Sequence, residues 1–225
     1  MFETPVVVGA DYERVYEPAE DSFLLLDLFE EIKDYLNEKE FSHKLPLIVE
    51  VGTGSGIVTT FINKNIMPNA LFIATDLNPF SCDTFLRTNK HNATSFNADT
   101  VRSDLTTAIR PNDIDILIFN PPYVPAETVP SIPKNENEED LWVDIALMGG
   151  PTGMDVTNRL LNSLDSIMAP KGEAYILFCA RNKPTEVVEQ FLKVHNDTHQ
   201  KWSCELVIHR KAGWEVLSVY RFLKL

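Results

Sequence analysis

The chain has 225 residues, 44% hydrophobic and 24% charged, with a net charge of −13. That is ordinary globular composition with ample material for a core, and the acidic balance argues against a protein whose main task is gripping phosphate backbones. A protein or small-molecule partner suits it better. No apolar run approaches the roughly 20 residues that span a membrane, so no membrane role is expected. The acidic N-terminal stretch also lacks the apolar centre of a secretory signal. Cys82, Cys179 and Cys204 have no metal-ligand spacing, so no metal site is expected. Their odd count fits a reducing compartment, cytoplasmic or nuclear.

Residues 20–40 predict an amphipathic helix, with Leu25, Leu28, Phe29, Ile32 and Leu36 at helical spacing and Asp21 or Ser22 available as a cap. Strand and helix patterns then alternate. Strands are expected at 47–51, 70–75, 96–101 and 114–119, with helices at 56–65 and 79–90 between them. A helix at 153–168, a strand at 174–180 and a helix at 185–194 follow. Two last strands, 202–209 and 215–222, are separated by a stretch short enough for a hairpin. Continuous apolar strands interleaved with helices imply an α/β fold: a seven-stranded, mostly parallel sheet covered on both faces, with a terminal antiparallel hairpin. Nothing marks a second domain, so 1–225 is taken as one, with 1–40 as an N-terminal wall. The acidic patch 134–140 is a solvated loop or, given its place in the chain, a lid.

"IVEVGTGSG", 48–56, runs from a strand into Gly52, Gly54 and Gly56 and then a helix. Glycines there allow a tight turn and close approach of backbone to a ligand. Glu50 lies just before the loop, and Asp76 ends the next strand, 20 residues past Gly56. An acid at that position can accept hydrogen bonds from ribose hydroxyls. G-x-G-x-G with a leading carboxylate differs from the dinucleotide pattern, whose pyrophosphate sits on a helix N-terminus. S-adenosylmethionine carries a sulfonium and an ammonium and no phosphate, so acids near the loop favour it. Asp104, beyond the third strand, could accept an adenine amino group, with Leu105 beside the ring. The alternative for Asp104 is ordinary surface or cap chemistry, and for the loop a structural turn.

"FNPPY", 119–123, ends the fourth strand on Asn120. Pro121 and Pro122 have fixed φ and no N–H, so the segment is stiff. The Asn120 side-chain oxygen and a proline carbonyl form a pair of acceptors suited to a planar –NH2 group, and Tyr123 offers a flat face beside it. Delocalised nitrogen is a poor nucleophile. Holding both N–H bonds and aiming the nitrogen at an activated methyl lets orientation carry much of the rate. The alternative is a proline-rich Asx turn.

"VYEPAEDSFLLLD", "VEVGTGSGIVT", "TDLN", "FNPPYVP", "YILFCARNKPTEV" and "KAGWEVLSVY" together resemble the release factor glutamine methyltransferases, the HemK family, in its eukaryotic and archaeal branch of fungal type. The resemblance covers nearly the whole chain. It implies the class I S-adenosylmethionine-dependent methyltransferase fold. It implies methylation of the glutamine amide in the Gly-Gly-Gln motif of the class-one release factor, alone or with its GTP-bound helper. Asn120 and Pro121 would bind that amide, with Pro122 and Tyr123 completing the pocket. Ser22, Glu50, Gly52, Asp76, Asp104 and Leu105 would contact the cofactor, and Tyr16 and Pro18 would wall the site. The resemblance also implies a heterodimer with a small zinc-binding activator, for which the 96–101 edge strand is the candidate docking site. The zinc would belong to that partner. N-P-P-Y occurs as well in amino-methyltransferases of adenine in DNA or RNA, which is the competing reading.

Overall fold

The computed structural model describes residues 1–92, 97–134, 138, 141–197 and 201–225. Seven strands form one sheet in the order β3-β2-β1-β4-β5-β7-β6. β1 (Leu47–Val51), β2 (Leu71–Asp76), β3 (Ala98–Arg102), β4 (Ile114–Phe119) and β5 (Met168–Cys179) pair in parallel. β7 (Glu215–Lys224) runs antiparallel to β5, and β6 (Trp202–Ala212) antiparallel to β7. The strand order reverses between β1 and β4, which opens a crevice at their carboxyl ends.

The strands are continuously apolar because both faces are covered. Ile116 and Ile118 of β4 face one core with Leu24, Leu28, Phe29 and Phe61, while Leu117 and Phe119 face the other with Leu160, Leu164 and Phe191. The first layer is built from α1 (Glu20–Glu31) and α3 (Ile57–Asn65). α1 buries Leu24, Leu25, Leu28 and Phe29, the spacing of one helical stripe. The helix expected at 20–40 is two: the chain breaks at Ile32 (φ −90, ψ 8) and resumes as α2 (Lys33–Glu38). Nor do Asp21 or Ser22 cap it. Ala19 holds the cap position, and both lie inside the first turn, buried. α4 (Pro79–Asn92) starts on a proline, whose missing N–H costs nothing at a helix start, and Asn78 accepts the Phe80 N–H at 3.0 Å.

After β4 the chain forms α5 (Leu141–Leu147), which amphipathic spacing did not reveal. The helix expected at 153–168 is instead α6 (Asp155–Leu161) and α7 (Leu164–Ile167), and β5 begins at Met168, six residues early. α8 (Pro184–Asn196) covers the second face. The expected strand at 96–101 is β3, a sheet edge, with Phe96 outside the described residues. Most of the acidic patch 134–140 also lies outside them. No described helix is long and apolar enough to cross a membrane.

One charged cluster ties the N-terminal helices to the sheet. Glu173 of β5 is fully buried and accepts hydrogen bonds from Tyr35 and, at 2.7 Å, from Tyr175, while Lys39 (3.1 Å) and Arg221 (3.3 Å) pair with it. Burial, then the bond to Glu173, pushes the Tyr35 hydroxyl up to about 12, so it stays a donor. Removing one member of such a cluster strands the others. Glu173→Ala should therefore destabilise the fold by about 3 kcal/mol, read as a lower midpoint in denaturant unfolding.

Candidate active site

The crevice at the strand carboxyl ends is a cavity lined by Tyr16, Asp21, Ser22, Glu50, the 52–55 loop, Asp76, Asp104, Leu105, Asn120 and the Pro121–Val124 stretch. Apolar side chains from Val129 to Val156, including Trp142 of α5 and Ile145, close its other side. Most of the sequence-predicted residues thus converge, contributed by four adjacent strand ends and the start of α1, while Gly56 and Pro18 lie outside the lining.

Gly52, Gly54 and Gly56 all have left-handed φ (67, 53 and 77), conformations that side chains resist, so the loop needs glycine at each. Gly56 has a second reason: a Cβ there would sit 2.8 Å from the Phe85 backbone of α4. The loop is pinned by its acids. Asp76 accepts the Gly54 N–H at 3.0 Å and the Asn78 N–H at 2.9 Å. One Glu50 oxygen, Oε2, accepts the hydroxyls of Thr53 (2.8 Å) and Thr59 (2.5 Å) and the Thr59 N–H (3.2 Å). Burial pushes the Glu50 carboxyl up from 4.5 to about 7 against those donors, and Asp76 adds to the push; burial raises Asp76 as well.

Asn120 follows β4. Its Nδ2 donates to Asp21 Oδ2 at 2.9 Å, and its Oδ1 is buried with no partner. Asp21 also accepts the Tyr16 hydroxyl at 3.0 Å and the Ser22 N–H at 2.6 Å. The amide is thus held one way round: the Asp21 oxygen takes the –NH2 side and leaves the Asn120 oxygen bare. Sequence reasoning gave Asp21 only a capping role. The "YEPAEDS" stretch held the signal, but the contact spans 99 residues.

The prolines are braced from behind. Asn182 Nδ2 donates to the Tyr123 carbonyl at 3.1 Å, and Val124 N–H donates to the Leu147 carbonyl at 2.9 Å. The 149–153 turn packs so tightly that a Cβ at Gly149 would lie 2.2 Å from the Pro122 carbonyl, and one at Gly153 2.1 Å from the Tyr123 carbonyl. Tyr123 donates to Glu215 at 3.3 Å, and burial with Asp21 and Glu215 nearby raises its hydroxyl well above the ordinary value. Asp104 lines the cavity and is paired with Arg159 of α6 at 2.5 Å. Leu105 beside it sits at φ 51, a strained backbone for a non-glycine residue of the cavity wall. Ser22 is buried next to Asp21, its hydroxyl 3.3 Å from that carboxylate.

The sheet order, the glycine loop with its acids and the Asn-Pro-Pro-Tyr cradle define a class I methyltransferase. A family model, "Methyltransferase small domain", matches residues 34–132. The chain is 35% identical to the eRF1 methyltransferase catalytic subunit mtq2 of Schizosaccharomyces pombe, over 100% of this chain and 97% of that protein. It is 34% identical to Methyltransferase HEMK2 of Homo sapiens, over 95% and 91%. The Mtq2 chain of an E. cuniculi Mtq2–Trm112 complex has the same fold, with a TM-score of 0.63 and 22% identity over 94% of this chain and 99% of that one. The chain belongs to the Mtq2/HEMK2 family of methyltransferases.

The raised Glu50 sets a pH dependence. Its folded pKa lies above its unfolded value, so the folded state keeps a proton that the unfolded chain releases. This contribution is complete below about 4.5 and declines as pH rises through about 7. Unfolding free energies from denaturant titrations between pH 5 and 8 should fall with pH, by roughly 3 kcal/mol in total, and Glu50→Gln should flatten the slope.

Proposed function

We propose that this enzyme transfers a methyl group from S-adenosylmethionine to the side-chain amide nitrogen of glutamine in the Gly-Gly-Gln motif of the class-one release factor. The observation that carries the reading is the Asn120 amide, locked by Asp21 with a buried, bare acceptor at the cavity wall. A buried acceptor without a partner costs stability, and a substrate N–H supplies what it lacks. The S. pombe relative is an eRF1 methyltransferase subunit, and the E. cuniculi complex is responsible for methylation of the eRF1 termination factor. Both support a release factor as the protein that carries the amide.

The cavity fits the methyl donor chemically. Left-handed glycines bring backbone close to a ligand, and two carboxylates, Glu50 and Asp76, face the same space, which suits a cation and repels phosphate. When bound, S-adenosylmethionine supplies a methyl group already activated on a sulfonium. The chain's own residues do the rest. Gly52 and Gly54 form the floor, with Gly56 seating the loop against α4, Asp76 has lone pairs left for ribose hydroxyls, and Ser22, Asp104 and Leu105 close the sides. Asn120 Oδ1 accepts one amide N–H and the Pro121 carbonyl the other, turning the nitrogen lone pair towards the methyl group. Pro122 keeps that carbonyl rigid and Tyr123 packs on the amide plane. The residues need supply no general base, because proton loss can follow transfer.

The working form is a heterodimer with a small zinc-binding activator, the partner strand adding to the β3 edge, where Val101 is 37% exposed. The similar E. cuniculi structure is itself a two-protein complex. Free cysteines at 82, 179 and 204 are in keeping with a cytoplasmic or nuclear location, and one methyltransferase domain accounts for the chain.

Incubating the purified heterodimer with release factor and labelled cofactor tests the assignment, with label expected on the Gly-Gly-Gln glutamine. Label on an oligonucleotide and none on the factor would favour a nucleic-acid amino-methyltransferase instead. Asn120→Ala should cut turnover about 100-fold or more while cofactor affinity by calorimetry stays within a fewfold. Asp76→Ala should do the reverse, weakening cofactor binding most. Asp21→Ala frees the Asn120 amide to turn over and should slow turnover by roughly tenfold or more with little change in cofactor affinity.

A further inference from the structure

The last residue of β6, Ala212, pairs with the first of β7, Glu215, with Gly213 and Trp214 as a two-residue turn. Gly213 has φ +59, the left-handed first position that such tight hairpins require. Trp214 is 98% exposed. Apolar residues scattered singly on a surface are normal, but a whole indole held in solvent at a rigid tip is a costly place for the largest side chain.

The tip's position gives it a use. β7 is antiparallel to β5, and Cys179 at the end of β5 pairs with Leu217. Residues 212–216 therefore extend past the end of β5 on the carboxyl edge of the sheet, the edge that carries Asn120. Glu215 then accepts the Tyr123 hydroxyl at 3.3 Å, so the tip is bonded to the cradle itself. On the other strand Arg210 pairs with Asp27 of α1. Ladder, ion pair and hydrogen bond fix the tip before anything binds, which lowers the ordering cost of association. β3, the edge proposed for the activator, is at the opposite end of the sheet.

We propose that Trp214 is a docking anchor for the protein substrate, packing against the stretch of polypeptide next to the acceptor glutamine. This rests on the reading of the substrate as a protein: a glutamine that reaches Asn120 must bring its flanking chain across the rim, and the overhanging tip borders that rim. Exposed tryptophans at interfaces carry a large share of binding energy. The anchor makes no contact with the reacting atoms and works on substrate affinity.

The test is calorimetry of intact release factor binding to the heterodimer, with S-adenosylhomocysteine present, for wild type, Trp214→Ala and Trp214→Phe. Trp214→Ala should raise Kd about tenfold, and Trp214→Phe should recover most of it. S-adenosylhomocysteine affinity should stay within twofold. In methyl transfer the same variants should raise KM and leave kcat near wild type. A Kd for Trp214→Ala within twofold of wild type overturns the anchor alone. A loss that appears instead in activator binding or in self-association, measured by sedimentation, also overturns it and identifies the true occupant. Wild-type heterodimer that does not bind release factor overturns the substrate assignment, and the anchor with it.

Discussion

The cavity depends on which way one amide faces. An asparagine side chain presents a donor and an acceptor of nearly equal size, and a cradle for –NH2 works only with the acceptor left unpaired. Asp21 makes that choice by taking the donor side of Asn120. The rest of the chain serves this contact from both directions. Asn120 is set by β4, wholly buried between two cores. Asp21 is set by the first turn of α1, whose Leu24, Leu25, Leu28 and Phe29 are buried against the sheet. The Glu173 cluster then holds the far end of the N-terminal helices. An N-terminal segment that looks like an addition to the fold therefore orients the amide on which the proposed reaction depends.

The site also concentrates negative charge in a protein that is already acidic. Glu50, Asp76 and Asp21 are all buried or nearly so beside one cavity, and the first two titrate above their ordinary ranges because burial disfavours their charged forms. Donors from the loop and from α3 offset part of that cost. A cationic ligand would offset more, and its binding would then be linked to proton release. The strain at Leu105 and the unpartnered oxygen of Asn120 belong to the same pattern: local stability is given up where the proposed ligands would restore it.

Much of this was legible in the sequence, for identifiable reasons. Strands buried on both faces give unbroken apolar runs, and the glycine loop and acids fall just past them, so the sheet and Glu50, Asp76 and Asn120 could be placed by spacing alone. The sequence does not show contacts between distant segments. The roles of Asp21 at Asn120 and Arg159 at Asp104 depend on pairs 99 and 55 residues apart. Local breaks were hidden too. Leu160, Leu161, Leu164 and Ile167 keep a helical stripe across 153–168, so the interruption between α6 and α7 and the early start of β5 leave no mark in the periodicity.

The tight turn at 149–153 bears on how such an enzyme can change. Its glycines meet the carbonyls of Pro122 and Tyr123 so closely that neither position admits a larger residue without moving the cradle. The carbonyl half of the proposed grip on a planar –NH2 is thus held by backbone packing, while its other half rests on the Asn120 side chain and on Asp21. The rim is written in side chains: Tyr16, Glu215, Trp214 and the apolar wall around Trp142. Divergence within this architecture is channelled accordingly. On the proposed reading, rewriting the rim would recruit new macromolecules, while Asn120 and the carbonyls beside it would keep the methyl acceptor a planar –NH2.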